Sequence, residues 1–208
     1  TKLIVSAIKS MSARPKIFFC ASAVGYYGNH DPQQTVDEKA LSGHGFLAQV
    51  CREWENASAE LILKGVRLVH MRFGVVLNKK GGALAKMLPV FYFGLGGVLG
   101  SGRQPMSWIA LDEIPAIVDF IIENDKVNGP VNFVAPGAVS NREFTKTLGK
   151  VIFRPTIFPV PGFLIKAMFG QMGQELLLEG ARVVPQALID AKYPFMYPNL
   201  EQALRKIL

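Results

Sequence analysis

The sequence predicts an α/β fold: the later part of a doubly wound parallel sheet with helices on both faces, joined to a small α+β region on the substrate side. Three observations lead there. Two short apolar runs, Lys16–Ala21 (KIFFCA) and Val66–Phe73 (VRLVHMRF), have the composition of buried strands. Between them lie a polar loop and a long segment of helical period, the strand–loop–helix–strand rhythm of a parallel sheet. Half of the 208 residues are hydrophobic and 19% are charged, so the chain can build a real core.

Each element follows in order. The chain does not begin with Met, and TKLIVSAIKSM is already amphipathic, with Leu3, Ile4, Ala7, Ile8 and Met11 on one helical face. It is therefore expected to open inside a helix, as a fragment or with its N-terminal part left out. After the KIFFCA strand, Asn29–Gly45 is rich in Asp, Gln, His and Gly and reads as a loop. From Phe46 an apolar stripe through Leu47, Val50, Cys51, Trp54, Leu61 and Ile62 predicts one helix ending near Lys64-Gly65. The second strand then closes a domain over residues 1–78, to which a strand at Val131–Ala135 is expected to return.

Residues 79–208 are expected to hold the substrate side and the C-terminal small domain. Lys79–Gly82 reads as a turn, Ala83–Phe93 as a helix interrupted by Pro89, and GLGGVLGSG at 94–102 as a flexible loop. Met106–Leu111 reads as a strand and Asp112–Glu123 as a helix. Ser140 and Glu143 have the spacing of a capping box before a helix to about Lys150. Helices are expected at about 162–169 and 173–179, and Asn199 should cap the last one, EQALRKIL.

Composition narrows the function. Lys and Arg number 23 against 16 Asp and Glu, a formal charge of +7. This fits a basic surface or a site for an anionic small molecule. The basic residues form no run or aromatic-interleaved patch, which argues against nucleic acid. Apolar stretches break before about 18 residues, so no membrane span is expected. Cys20 and Cys51 lie in apolar surroundings without a CxxC pattern, as buried thiols of a reducing compartment would, and a cytoplasmic location is expected. His30, His44 and His70 have no metal-ligand spacing, and no metal is expected.

The stretch FFCASAVGYYGNH carries the chemistry. Ligands of open parallel sheets sit beyond the carboxyl ends of the strands. That places Ser22, Tyr26 and Tyr27 beside a bound molecule, with Phe73, Gly74, Val75 and Val76 from the next strand. An ordinary strand-to-loop turn, with tyrosines filling a gap, is the plainer alternative. The glycine loop at 94–102 is not a dinucleotide fingerprint, because it follows a helix rather than a strand. It suits a mobile covering loop in which Arg103 could grip a phosphate or carboxylate, or simply a solvated loop.

FFCASAVGYYG, FLAQVCREWE, VRLVHMRFGVVL and GGALAKMLPVFYFGLGGVLGSGRQPMSWI together closely resemble an atypical branch of the extended short-chain dehydrogenase/reductases. Its members are known as epimerase-family or nucleoside-diphosphate-sugar epimerase-like proteins, some formerly as cell-division inhibitors. The tail LLLEGARVVPQALIDAKYPFMYPNLEQAL resembles the C-terminal domain that marks this branch. The resemblance implies a Rossmann sheet and NADP(H), with an N-terminal glycine-rich half that would need on the order of 70–80 residues upstream of Thr1. In this chain it leaves the nicotinamide side, Ser22 and Phe73–Val76, and it makes Ser22 similar to the family's active-site serine. Arg103, Trp108 and Arg182 become the substrate-side candidates.

One departure bears on catalysis. These enzymes carry a Tyr-x-x-x-Lys pair on the helix after the serine strand, whereas Phe46–Arg52 holds neither residue at either plausible register. A loop tyrosine, Tyr26 or Tyr27, would have to stand in. The expected function is an NADP(H)-dependent epimerase or oxidoreductase acting on a nucleotide-sugar-like anion. The alternative is a catalytically silent NADPH-binding sensor or interaction module. An unpaired sheet edge would invite self-association, which leaves a homodimer open.

Overall fold

The computed structural model describes residues 1–208, apart from the side chain of residue 63. The elements in chain order are α1 (Lys2–Ser10), β1 (Ile17–Ala23), β2 (Thr35–Val36), α2 (Phe46–Asn56), β3 (Arg67–Phe73), β4 (Val75–Leu77), α3 (Gly82–Tyr92), β5 (Pro105–Met106), β6 (Trp108–Ala110), α4 (Glu113–Glu123), β7 (Gly129–Phe133), β8 (Val139–Ser140), α5 (Asn141–Val151), α6 (Gly162–Gly173), β9 (Arg182–Val183), α7 (Gln186–Asp190) and α8 (Leu200–Ile207). The main sheet is parallel, in the order β1–β3–β7, with Cys20 opposite His70 and Met71 opposite Val131.

Strand alternation divides this sheet into two faces. Val69, Val131 and Phe133 pack with Ile117 and Ile121 of α4 and Leu188 of α7. On the other face Phe18 meets Val5 and Ile8 of α1 together with Leu61 and Val66. Helices therefore cover both faces, as the sequence pattern predicts for a parallel sheet.

The expected single helix from Phe46 to Lys64 stops instead at Asn56, and a tighter helical turn follows over Ala59–Lys64. Ser58 causes the break. Its hydroxyl donates to the Glu55 carbonyl at 3.0 Å and lies 2.8 Å from His70 Nε2, so a side chain takes a carbonyl that helix continuation would use. The expected strand over Met106–Leu111 is likewise divided into β5 and β6 at Ser107. That hydroxyl donates to the Ala181 carbonyl and accepts the Val183 N–H, both at 2.9 Å, tying the strand to β9.

Gly74 marks where the chain leaves the main sheet for a second pairing, β4 with β6. A Cβ there would lie 2.6 Å from the Ser107 carbonyl oxygen and 2.8 Å from Val134, so only glycine lets the two backbones approach. Beyond it Leu77, Leu84, Leu88, Phe144, Leu148 and Leu204 build a second core from α3, α5 and α8. Trp108, expected on the substrate side, is instead fully buried in this core, with Nε1 donating to the Gly137 carbonyl at 2.9 Å. Both expected caps form: Ser140 and Glu143 make a reciprocal capping box on α5, and Asn199 accepts the Glu201 and Gln202 N–H groups at α8.

Glu113, in the first turn of α4, fixes the path of the tail. Its buried carboxylate accepts the Tyr193 hydroxyl (2.7 Å) and the N–H groups of Met196 (3.0 Å) and Tyr197 (2.9 Å). Removing it leaves two backbone donors and a phenol without their partner. Glu113→Ala should therefore lower unfolding stability by about 2–4 kcal/mol, read as a shifted urea midpoint with unchanged slope.

Candidate functional site

Strand register aligns three polar side chains across the main sheet. Ser22 lies opposite Arg72, and Arg72 opposite Asn132, one residue short of the carboxyl end of each strand. All three are buried, on the sheet face that also carries buried His70. Such groups require partners, and α2 supplies one. Leu47, Cys51 and Glu55 recur every four residues, so one helical face carries all three.

Glu55 closes the network. Its Oε1 accepts the Ser22 hydroxyl and Arg72 Nε, each at 2.8 Å, and its Oε2 accepts Arg72 Nη2 at 2.8 Å. Arg72 Nη1 donates to the Tyr27 hydroxyl at 2.9 Å, and that hydroxyl donates to Asn132 Oδ1 at 2.7 Å. Asn132 continues outward, giving Nδ2 to the Val184 carbonyl while its backbone N–H goes to Glu38. The Tyr26 ring covers the guanidinium, 3.5 Å from centroid to Cζ.

The charges are strongly coupled. Burial alone would raise the Glu55 carboxyl. The Arg72 hydrogen bonds and charge, the Ser22 hydroxyl and nearby His70 together hold it below the usual carboxylate range. Burial opposes the charged Arg72, but its bonds to Glu55 and Tyr27 raise it above its ordinary value. Burial lowers His70, whose Nδ1 lies 3.8 Å from Glu55. Burial likewise pushes the Tyr27 phenol up to about 12 against the pull of Arg72, and drives the Cys51 thiol upward.

This arrangement separates the expected site residues. Ser22 and Tyr27 belong to the buried network, with Tyr27 fully enclosed, while Tyr26 remains half-buried. Ser22 spends its proton on Glu55 and keeps acceptor lone pairs. Phe73 stacks edge-on against Phe133, and Val75 and Val76 are half-buried in β4. Arg103 is exposed on its loop. Arg182 has its Nη1 on the Ala138 carbonyl at 2.6 Å and its Nε on the Pro32 carbonyl at 3.2 Å.

The helix register is also resolved. A Cβ placed on Gly25, in the turn after β1, would lie 3.4 Å from Leu47 Cβ and 4.0 Å from Cys51 Sγ. Leu47 and Cys51 therefore face the strand tip, and Phe46 is exposed.

Sequence reasoning did not find Glu55, Arg72 or Asn132. The available signal was Arg72 near the end of a largely apolar strand, where a buried guanidinium requires a carboxylate partner. A cleft of about 840 Å³ borders the network at Tyr27 and is lined also by Gly43, His44, Gly45, Glu179 and Gln186.

Similar proteins place this architecture. Residues 160–207 match a domain of unknown function, DUF1731. The human epimerase family protein SDR39U1 is 36% identical over 211 aligned residues, covering 100% of this chain and 71% of that protein. The chain belongs to the epimerase family. Another member, Mb2239 of Mycobacterium bovis, is 45% identical over 88% of this chain, which spans 61% of that protein's length. The structure of human SDR39U1 with NADPH superposes with a TM-score of 0.91 at 33% identity, over 99% of this chain and 70% of that one. The epimerase-family sheet is Rossmann-like, and β1, β3 and β7 form its three parallel strands in this chain. Among the described residues no helix is long and apolar enough to cross a membrane.

Two predictions follow from the network's charges. Arg72→Met strands Glu55 in a buried site and should cost about 3–5 kcal/mol, measured by urea unfolding. Acid should also destabilise the protein in two stages. His70 is depressed below its ordinary 6.5, so from there downward the unfolded chain binds a proton that the native state does not. Glu55 is depressed below 4.5, so its contribution is present above that value and disappears as pH falls through the folded-state pKa. Unfolding midpoints should decline as pH drops through about 6.5 and decline again below about 4.5, with Glu55→Gln flattening the second stage.

Proposed function

We propose that this chain carries the nicotinamide-side and substrate-side parts of an NADP(H)-dependent, epimerase-like short-chain dehydrogenase/reductase acting on a nucleotide-sugar-like anion. The observation that carries the reading is the tip of β1. There exposed Ala21 and half-buried Ala23 flank Ser22 at the carboxyl end of a parallel sheet, beside the half-buried Phe73–Val76 backbone. Small residues at that place suit the close approach of a flat ring, and the described residues fit the nicotinamide end of the cofactor. The NADPH of the human relative supports the choice of cofactor.

When bound, the cofactor supplies hydride transfer. The chain supplies orientation and proton handling. Ser22, with its proton held by Glu55, accepts a hydrogen bond from a substrate hydroxyl. Tyr27 is enclosed and raised to about 12, which leaves half-buried Tyr26 as the phenol for proton transfer, its ring held over the Arg72 guanidinium. Arg103, exposed on the glycine loop, is the cation for an anionic group. Arg182 has its guanidinium committed to two carbonyls and is assigned to holding the loop.

A second reading, a binder without turnover, is favoured by Leu47 and Cys51, which face the strand tip without a phenol or an ammonium. The two readings are separated by hydride exchange between deuterated NADPH and a panel of nucleotide sugars, run on this chain extended to the full length of its relatives. Turnover is expected, with Tyr26→Phe reducing it by about 10²- to 10⁴-fold. Binding without exchange establishes the silent reading, and no binding by nicotinamide fluorescence removes the dinucleotide reading.

A further inference from the structure

Residues 162–178 leave the body of the protein and return to the point of departure. At the first foot the Val160 carbonyl accepts the Gly100 N–H, and the Val160 N–H donates to Val98, both at 2.9 Å. At the second foot a Cβ on Gly100 would lie 2.9 Å from Leu178 Cδ2, and one on Gly162 would lie 3.5 Å from Leu178 Cδ1. Buried Gln104 clasps both feet, its Nε2 donating to the Leu99 carbonyl at 3.0 Å and the Leu177 carbonyl at 2.9 Å. An excursion with joined ends can move as a unit.

Little holds the excursion down between its feet. In α6 only Ile165 and Gly173 are buried, whereas Phe163 is 70% and Met168 72% exposed. Gly170 divides the helix at φ 58°, ψ −145°, a conformation open chiefly to glycine. Away from the feet, the polar link to another element among the described residues is Glu175. Its carboxylate accepts the N–H groups of Leu47 (3.0 Å) and Phe46 (3.2 Å) at the start of α2. The Leu47 N–H and Gln171, then the Phe46 N–H, keep this carboxyl below its usual range and so ionised at neutral pH. The link stands at the rim of the 840 Å³ cleft, which His44 and Gly45 wall on the α2 side and Glu179 walls at the second foot.

We propose that residues 162–178 form a lid at the rim of this cleft, where Glu175 stands against Gly45, hinged at its joined feet and latched by Glu175 on the first turn of α2. A half-exposed carboxylate on two helix N–H groups is a weak latch, and Ile165 is the one large apolar side chain of α6 that is buried. The latch is made by the Glu175 carboxylate and two backbone N–H groups, so its test needs no cofactor at the strand tip.

Amide hydrogen exchange tests the proposal. In the unmodified chain, amides of 162–178 should exchange through a local opening insensitive to low denaturant, while those of β3 follow global unfolding. Glu175→Ala should speed exchange across 162–178 and at Phe46 and Leu47 by about tenfold and leave β3 unchanged, with Glu175→Gln in between. Equal denaturant sensitivity of the excursion and β3 in the unmodified chain would overturn the lid, whether or not the variants fold. Unchanged exchange in a folded Glu175→Ala variant would overturn the latch.

Discussion

The buried pair of Arg72 and Glu55 is the interaction on which the rest of this site depends. Removing two charges from water costs several kcal/mol per ion, and the cost is offset only when the geometry is good and the remaining polar atoms find partners. Here the pairing is bidentate, and the surplus donors and acceptors are passed outward to Ser22, Tyr27 and Asn132. The strand tip, the turn after it and α2 are thereby held in one arrangement. The Tyr26 ring rests on the same guanidinium, so even the half-buried phenol inherits its position from the pair.

Much of the fold was legible because local signals coincided with tertiary demands. KIFFCA and VRLVHMRF form strands because apolar, β-favouring residues suit a sheet covered on both faces. Ser140 and Asn199 cap helices because their side chains accept N–H groups that the helix itself leaves free. The failures have the opposite origin. The helix break at Ser58 depends on His70, twelve residues away on another strand. β9 has only two residues and exists through pairing with β2, some 150 positions earlier, so no local pattern announces it.

The site divides along the same line. Ser22, Tyr26 and Tyr27 were readable because small and phenolic residues cluster in one stretch. Glu55, Arg72 and Asn132 were not, since Tyr27 and Asn132 stand 105 positions apart and meet only through strand pairing. Position alone also misled. Trp108 lies in a segment that suggests substrate contact, but its indole is fully buried and fills a core. A polar head group indicates function only after its partners are counted.

The row Ser22–Arg72–Asn132 has a consequence for assembly of the sheet. Parallel strands are joined by long crossovers, so no tight turn dictates how one slides against the next. Apolar side chains are forgiving in this respect, because a valine in a neighbour's place still finds grease around it. A guanidinium is not. Sliding β3 by a single position would turn Arg72 toward the layer of Val69, Val131 and Phe133 and away from Glu55. The polar row thus acts as a key that admits one alignment of three strands, and the surroundings of the strand tip are set when that key engages.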